Sequence, residues 1–398
     1  MRAFLQQHTF AATMFAASVF IGMETGGYQY IVLKVAEEYG LSQSRMGFLI
    51  SMHFIAATIM PPLIGPLSDR IGKKKTTILG CLFYLAGAVV CCFVHSPMGF
   101  AAGIFGAGAA FGSLLTTCQA ALSDAHPGEG GKYVSLFQGA LGIGCVVIPL
   151  VLAFLMETVG CSWRVLFLIC GTGFFLVMAA TFRIRFPEAS GGVDAQKEEE
   201  QGSAGRSLFS GLASVFLVGT LIGILLYMFC ETTLTFFMDS YFTLVFEDPS
   251  RSAIALALFW AGLAMIRLLA SRFYRYAYIL VPVLMLSSAA VMVLFALNQN
   301  PLVAAGLAGI AGVLFGPIWP FLLGIATDRY PERTGTVTGL VMLMDGSGGA
   351  LAPVLIGFLS DLAGLRFAFG LVGIFLAFSA AVFVFMVVGI RSRRREII

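Results

Sequence analysis

The chain has 398 residues, of which 59% are apolar, 13% aromatic and only 11% charged, with a net charge of +3. An ordinary soluble domain carries about a quarter charged residues, so this composition excludes one and points to a chain dissolved in a bilayer. The eight cysteines follow neither a metal-ligand spacing nor a secreted disulfide pattern, so they read as packing residues, and no metal or cofactor is implied.

A helix needs about 20 apolar residues to cross the hydrocarbon core, and twelve such stretches follow one another. They lie at 9–30, 44–67, 76–95, 99–123, 133–156, 163–183, 211–244, 252–271, 277–297, 301–327, 336–360 and 365–390. The predicted class is an all-α membrane protein with twelve transmembrane helices in two bundles of six. The first stretch follows Arg2 and could be taken for a signal peptide, but Glu24 and its match to the seventh stretch argue that it is retained. It carries Glu24, Tyr28 and Gln29. The second carries a lone histidine, His53, which reads as a core residue. After it comes the turn Gly65-Pro-Leu-Ser-Asp69-Arg70-Ile-Gly72-Lys73-Lys74-Lys75.

The fourth stretch offers Ser113, Thr116, Thr117 and Gln119. Residues 184–210, with Pro187, paired glycines and the acidic run Glu198–Glu200, read as a solvated linker between a first unit, 1–183, and a second, 211–398. On the seventh stretch Tyr227, Glu231, Thr235 and Asp239 recur every fourth residue, which places them on one face of a helix. Such a polar stripe must face protein or water. Arg267 is the one base inside a span, expected to pair with Asp345 or to bind a solute. The tenth stretch holds Trp319 between Pro317 and Pro320. Each charge within a span costs roughly 2.5–3.5 kcal/mol near a helix centre, so something must offset it.

Residues 111–164 and 315–368 repeat one another. Phe111/Phe315, Gly112/Gly316, Asp124/Asp328, Gly142/Gly346, Gly144/Gly348, Pro149/Pro353 and Gly160/Gly364 are identical, and Glu157/Asp361 keeps its charge. Because backbone punctuation and charge are what recur, the two halves share one architecture, which implies a transporter built by duplication. Most of the 24 basic residues fall in the loops on one side, which predicts both termini in the cytoplasm and a place in the plasma (inner) membrane. The closing Arg391–Arg395 run is expected to anchor to anionic headgroups and not to nucleic acid.

The Gly65–Lys75 turn matches G-x-L-x-D-R-x-G-[RK]-[RK] and resembles the signature loop of the major facilitator superfamily; the duplicated twelve-span layout agrees. The resemblance implies alternating access, with Asp69 in a gate that faces a helix N-terminus of the other half, and Gly65, Arg70, Gly72 and Lys73 completing the motif. In the second half the corresponding segment, Arg267–Arg272, lacks the aspartate. The resemblance also implies that the first, fourth, seventh and tenth helices line a central cavity. A solute and proton site of Glu24, Tyr28, Gln119, Tyr227, Glu231, Thr235, Asp239, Arg267 and Trp319 would then face that cavity.

Gly346–Asp361 and Tyr227-Met-Phe-Cys-Glu231 are similar to the fucose/glucose-type sugar:proton symporters. In that branch carboxylates on the first and fourth helices handle substrate and proton. Glu24 matches the first, whereas Gln119, which cannot ionise, stands at the second. The fifth stretch lacks the Gly-Pro-x-x-Gly-Gly element of many exporters. The expected protein is a monomeric, proton-coupled symporter of a small, sugar-like solute, with export of cationic compounds or a non-transporting sensor as alternatives. No phosphate loop or nucleophile-base pair suggests an enzyme.

Overall fold

The computed structural model describes residues 2–126, 129–184, 186 and 215–395. Most of the expected linker at 184–210 and the side chains of the Arg391–Arg395 run lie outside the described residues. The first half is α1 (Arg2–Glu38), α2 (Gln43–Ile71), α3 (Lys73–Phe93), α4 (Pro97–Ala125), α5 (Gly130–Ala153, continued by a π turn, Phe154–Thr158) and α6 (Val165–Arg183). The second is α7 (Val215–Phe236), α8 (Met238–Leu244), α9 (Ser252–Phe273), α10 (Ala277–Leu297), α11 (Pro301–Phe315), α12 (Ile318–Arg329), α13 (Thr334–Ala363) and α14 (Leu365–Arg395).

Among the described residues, 11 segments are long and apolar enough to cross a membrane. They include α11 and α12 as one; α1 supplies the twelfth span. Its hydropathy is diluted by Glu24, Thr25, Tyr28 and Gln29. It also runs eight residues past the predicted end at residue 30, because Lys34 and Glu38 find partners instead of ending the helix. Two predicted spans are interrupted, the seventh at Phe237 between α7 and α8, and the tenth at Gly316–Pro317 between α11 and α12.

The repeated residues do the same work in both halves. A methyl group on Gly144 would run into the Val19 carbonyl of α1, and one on Gly348 into the Leu225 carbonyl of α7. These glycines therefore set the approach of α5 to α1 and of α13 to α7. Gly142 and Gly346 face the opposite half, at Ala264 and Thr58. Gly160 and Gly364 turn the chain with φ of 79° and 85°, a conformation that glycine adopts without a Cβ penalty. Asp124 pairs with Lys73 at the start of α3, and its repeat, Asp328, accepts from Tyr274 just before α10 at 2.6 Å.

Among the described residues, the side-chain hydrogen bonds and ion pairs that link the halves gather on one side. We call this the far side, opposite the termini. There Gln43 N and Ser44 N each donate to Asp361 at 3.0 Å, Lys34 pairs with Asp239 at 2.9 Å, and Ser51 donates to the Ala350 carbonyl at 2.6 Å. Trp260 Nε1 donates to Gln29 at 2.8 Å. On the near side Asp69 is exposed and makes no ion pair among the described residues, while its neighbour Lys73 pairs within its own half.

On the far-side surface Glu38 accepts from both terminal nitrogens of Arg164, at 3.0 and 2.7 Å, and from Trp163 Nε1 at 2.6 Å. The Arg164 guanidinium holds the Glu38 carboxyl below the usual glutamate range. A depressed folded value means that this contribution to stability is present above the unfolded value of about 4.3 and is lost as pH falls through the folded one. Thermal unfolding of wild type and Glu38→Gln should therefore differ at neutral pH and converge upon acidification below about 4. A constant difference down to the acid limit would exclude the pair as the source.

Candidate functional site

Between the far-side closure and the near side lie two polar clusters, one in each half. The first is built on α1 and α2. Glu24 is 2% exposed, and His53 Nε2 lies 3.3 Å from one carboxylate oxygen and 3.2 Å from the other. Gly108 of α4 packs where a methyl would strike the His53 carbonyl, so α4 fixes the backbone beneath the imidazole. The rings of Tyr28, Phe54 and Phe111 stand 5.6–5.7 Å from it. Above, Phe236 of α7 packs on Tyr28 and Phe54 at 5.4 and 5.5 Å, closing the pocket from the far side. His53 Nδ1 and the Tyr28 hydroxyl are buried without a hydrogen-bond partner among the described residues, whereas buried polar atoms are nearly always satisfied.

The second cluster spans α7, α9, α12 and α13. Tyr227 donates to Glu231, Trp319 Nε1 donates to Asp345 at 2.8 Å, and Arg267 Nε donates to the Gly316 carbonyl at 3.2 Å. The Arg267 guanidinium lies beside the Tyr227 hydroxyl, and Asp345 experiences the charges of Glu231 and Arg267. Cys145 on α5 lies between the two clusters, near enough to feel the charges of Glu24, Glu231 and Arg267. Asp345, Arg267 and Trp319 are only half-buried; Asp345 and Trp319 lie well inside their spans, and Arg267 lies toward the near-side end of α9.

Several expectations change. Arg267 and Asp345 form no ion pair; the Trp319 N–H donates to Asp345 and Arg267 donates to a backbone carbonyl. The Tyr227–Asp239 stripe does not stay on one face, because the break at Phe237 turns Asp239 to Lys34 and Ser252. The Thr235 hydroxyl bonds the Glu231 carbonyl of its own helix at 2.9 Å. Gln119 is half-buried and hydrogen-bonds to neither cluster. His53, read as core, is the partner of Glu24; the signal that could have marked it is a titratable side chain midway along a span beside an acid-bearing one.

Asp239 belongs to the closure. It is 2% exposed, and removing one partner of a buried ion pair costs about 3–5 kcal/mol. Asp239→Asn should loosen the far side, so that a cysteine placed at Met46, which is fully buried beneath Ser240, reacts with a water-soluble maleimide several-fold faster than in the parent. Equal labelling rates would remove Lys34–Asp239 from the gate.

The profile of the Major Facilitator Superfamily matches residues 14–353 and 269–397. The chain belongs to this superfamily. Its fold is similar to that of a bacterial homolog of the human lysosomal transporter Spinster in an inward-facing, unoccupied conformation. The TM-score is 0.80 at 15% identity, over 96% of this chain and 97% of the other. Among characterised proteins it resembles the niacin transporter of Acinetobacter baylyi (26% identical over 38% of this chain and 35% of the relative). It also resembles the gentisate transporter of Corynebacterium glutamicum (29%, over 38% and 34%). A multidrug resistance protein of Klebsiella pneumoniae is similar too (28%, over 46% of each). Each match thus spans less than half of the relative's length. Membership of the superfamily agrees with the multi-pass membrane architecture described above.

Proposed function

We propose that the protein is a secondary active transporter of the plasma membrane that moves a small organic solute, of sugar or organic-acid size, with protons. The near side is cytoplasmic, in keeping with the basic residues in its loops. Units 1–183 and 211–398 rock against each other, exchanging the far-side bonds of Asp239 and Asp361 for near-side bonds at Asp69. A carboxylate held at a helix N-terminus is favoured by about 0.3–1 kcal/mol, enough to bias such a gate without locking it. The observation that carries the reading is the Glu24–His53 pair, a buried acid and base with unpaired polar atoms, adjoining the acid-rich cluster of the other half.

The test is uptake by proteoliposomes under an imposed pH gradient, with sugars, sugar acids and aromatic acids offered in turn. Uptake of none above protein-free vesicles, or uptake indifferent to the gradient, would contradict proton-coupled transport. A second reading, export of cationic compounds, is favoured by the excess of acids Glu24, Glu231 and Asp345 over Arg267. Gradient-driven expulsion of a lipophilic cationic dye would select it.

A further inference from the structure

Arg267 makes no ion pair among the described residues; like Glu231 and Asp345, which bond Tyr227 and Trp319, it has neutral partners, the Gly316 carbonyl and the adjacent Tyr227 hydroxyl. An arginine inside a span costs roughly 2.5–3.5 kcal/mol on insertion scales and is almost always paired or turned to water. This one is half-buried and is aimed by design. Pro320 has no N–H, so the Gly316 carbonyl four residues earlier loses the donor that a continuous helix would supply. Gly316 is buried, and Arg267 Nε fills the gap at 3.2 Å. One edge of the planar guanidinium is thereby fixed and the Tyr227 hydroxyl lies beside it, while the guanidinium carries more N–H donors than these two neighbours use, the planar donor set that matches a carboxylate. Asp345, bonded by Trp319 Nε1, is near enough to feel its charge.

From this we infer that Arg267 is the docking point for the carboxylate group of the transported solute, with Gly316 and Pro320 as its positioning residues. The assignment rests on the transport reading above and narrows its solute to small organic acids. It also gives Asp345 and Glu231 a role. A carboxylate arriving on Arg267 adds a negative charge beside two acids, which favours the uptake of a proton with it.

The test is binding by the purified full-length protein, measured calorimetrically, of compounds that differ only in this group. The pairs are nicotinate and nicotinamide, 2,5-dihydroxybenzoate and its primary amide, and galactonate and galactose. In at least one pair the acid should bind ten-fold or more tightly than its neutral partner. Arg267→Gln should abolish that preference and Arg267→Lys should keep part of it. Pro320→Ala, which restores the helix N–H to Gly316 while keeping the arginine, should weaken acid binding several-fold without lowering thermal stability. Failure of every acid to bind, equal binding of the neutral partners, or an acid preference that survives in both Arg267→Gln and Pro320→Ala would overturn the assignment. If Arg267→Gln does not fold, Pro320→Ala alone decides. Failure of the transport reading looks different: the acids bind with the stated preference, yet no solute crosses the membrane of proteoliposomes.

Discussion

Glu24→Gln should abolish gradient-driven accumulation of solute while leaving solute exchange across the membrane intact. One unit of pH difference is worth about 1.4 kcal/mol per proton, or about ten-fold in concentration. A one-proton symporter should therefore concentrate its solute by up to about ten-fold per unit imposed. The amide has nearly the shape of the carboxyl and can still bond His53 Nε2, so packing around a side chain that is 2% exposed is preserved. What the amide lacks is an exchangeable proton. Accumulation should fall to equal concentrations on both sides, whereas exchange of labelled for unlabelled solute, which needs no net proton movement, should continue at a comparable rate. Accumulation undiminished in Glu24→Gln would place the coupling proton elsewhere, with Glu231 and Asp345 the next residues to neutralise.

The spans were legible because hydropathy is averaged over many residues and the bilayer demands length. The duplication was legible because glycine, proline and charge recur where apolar residues drift. The break at Phe237 was not, since neither glycine nor proline marks it; α8 is held by bonds from Asp239 to Lys34 and Ser252 and from Tyr241 to the Ala296 carbonyl at 3.2 Å. These partners are distant in sequence. The candidate site divides in the same way. Glu24, Glu231 and Arg267 announce themselves as charges in apolar runs, but which groups pair depends on helix rotation. Hence His53 reads as core, and Arg267 reads equally as a partner of Asp345 or as a solute-binding group. The Gly316–Pro320 spacing was open to view as a freed carbonyl, yet its donor comes from α9, a helix that no local pattern names.

The duplicated glycines make a second, sharply divided set of outcomes. Gly144→Ala and Gly348→Ala should each lower thermal stability by several degrees and reduce the yield of monodisperse protein. The added methyl meets the backbone of a neighbouring helix, the Val19 carbonyl for one and the Leu225 carbonyl for the other. A flexible side chain could turn aside, but a helix backbone moves only by shifting the whole packed helix, and overpacking of this kind costs about 1–3 kcal/mol and sometimes more. Small residues at such crossings are what allow close helix approach in a membrane. Gly139 on α5 and Gly339 on α13 supply controls within the same two helices, because a methyl on either meets nothing within 4 Å. Replacing a helix-interior glycine where space exists gains about 0.5–1 kcal/mol from reduced chain entropy. Gly139→Ala and Gly339→Ala should therefore be neutral or stabilising. Because Gly144 and Gly348 occupy equivalent places in the two halves, their losses should be similar and, being far apart in contact, nearly additive in the double variant. Equal stability across all four single variants would mean that α5 and α13 do not approach their neighbours as closely as described, and the symmetric account of the two halves would fall with it.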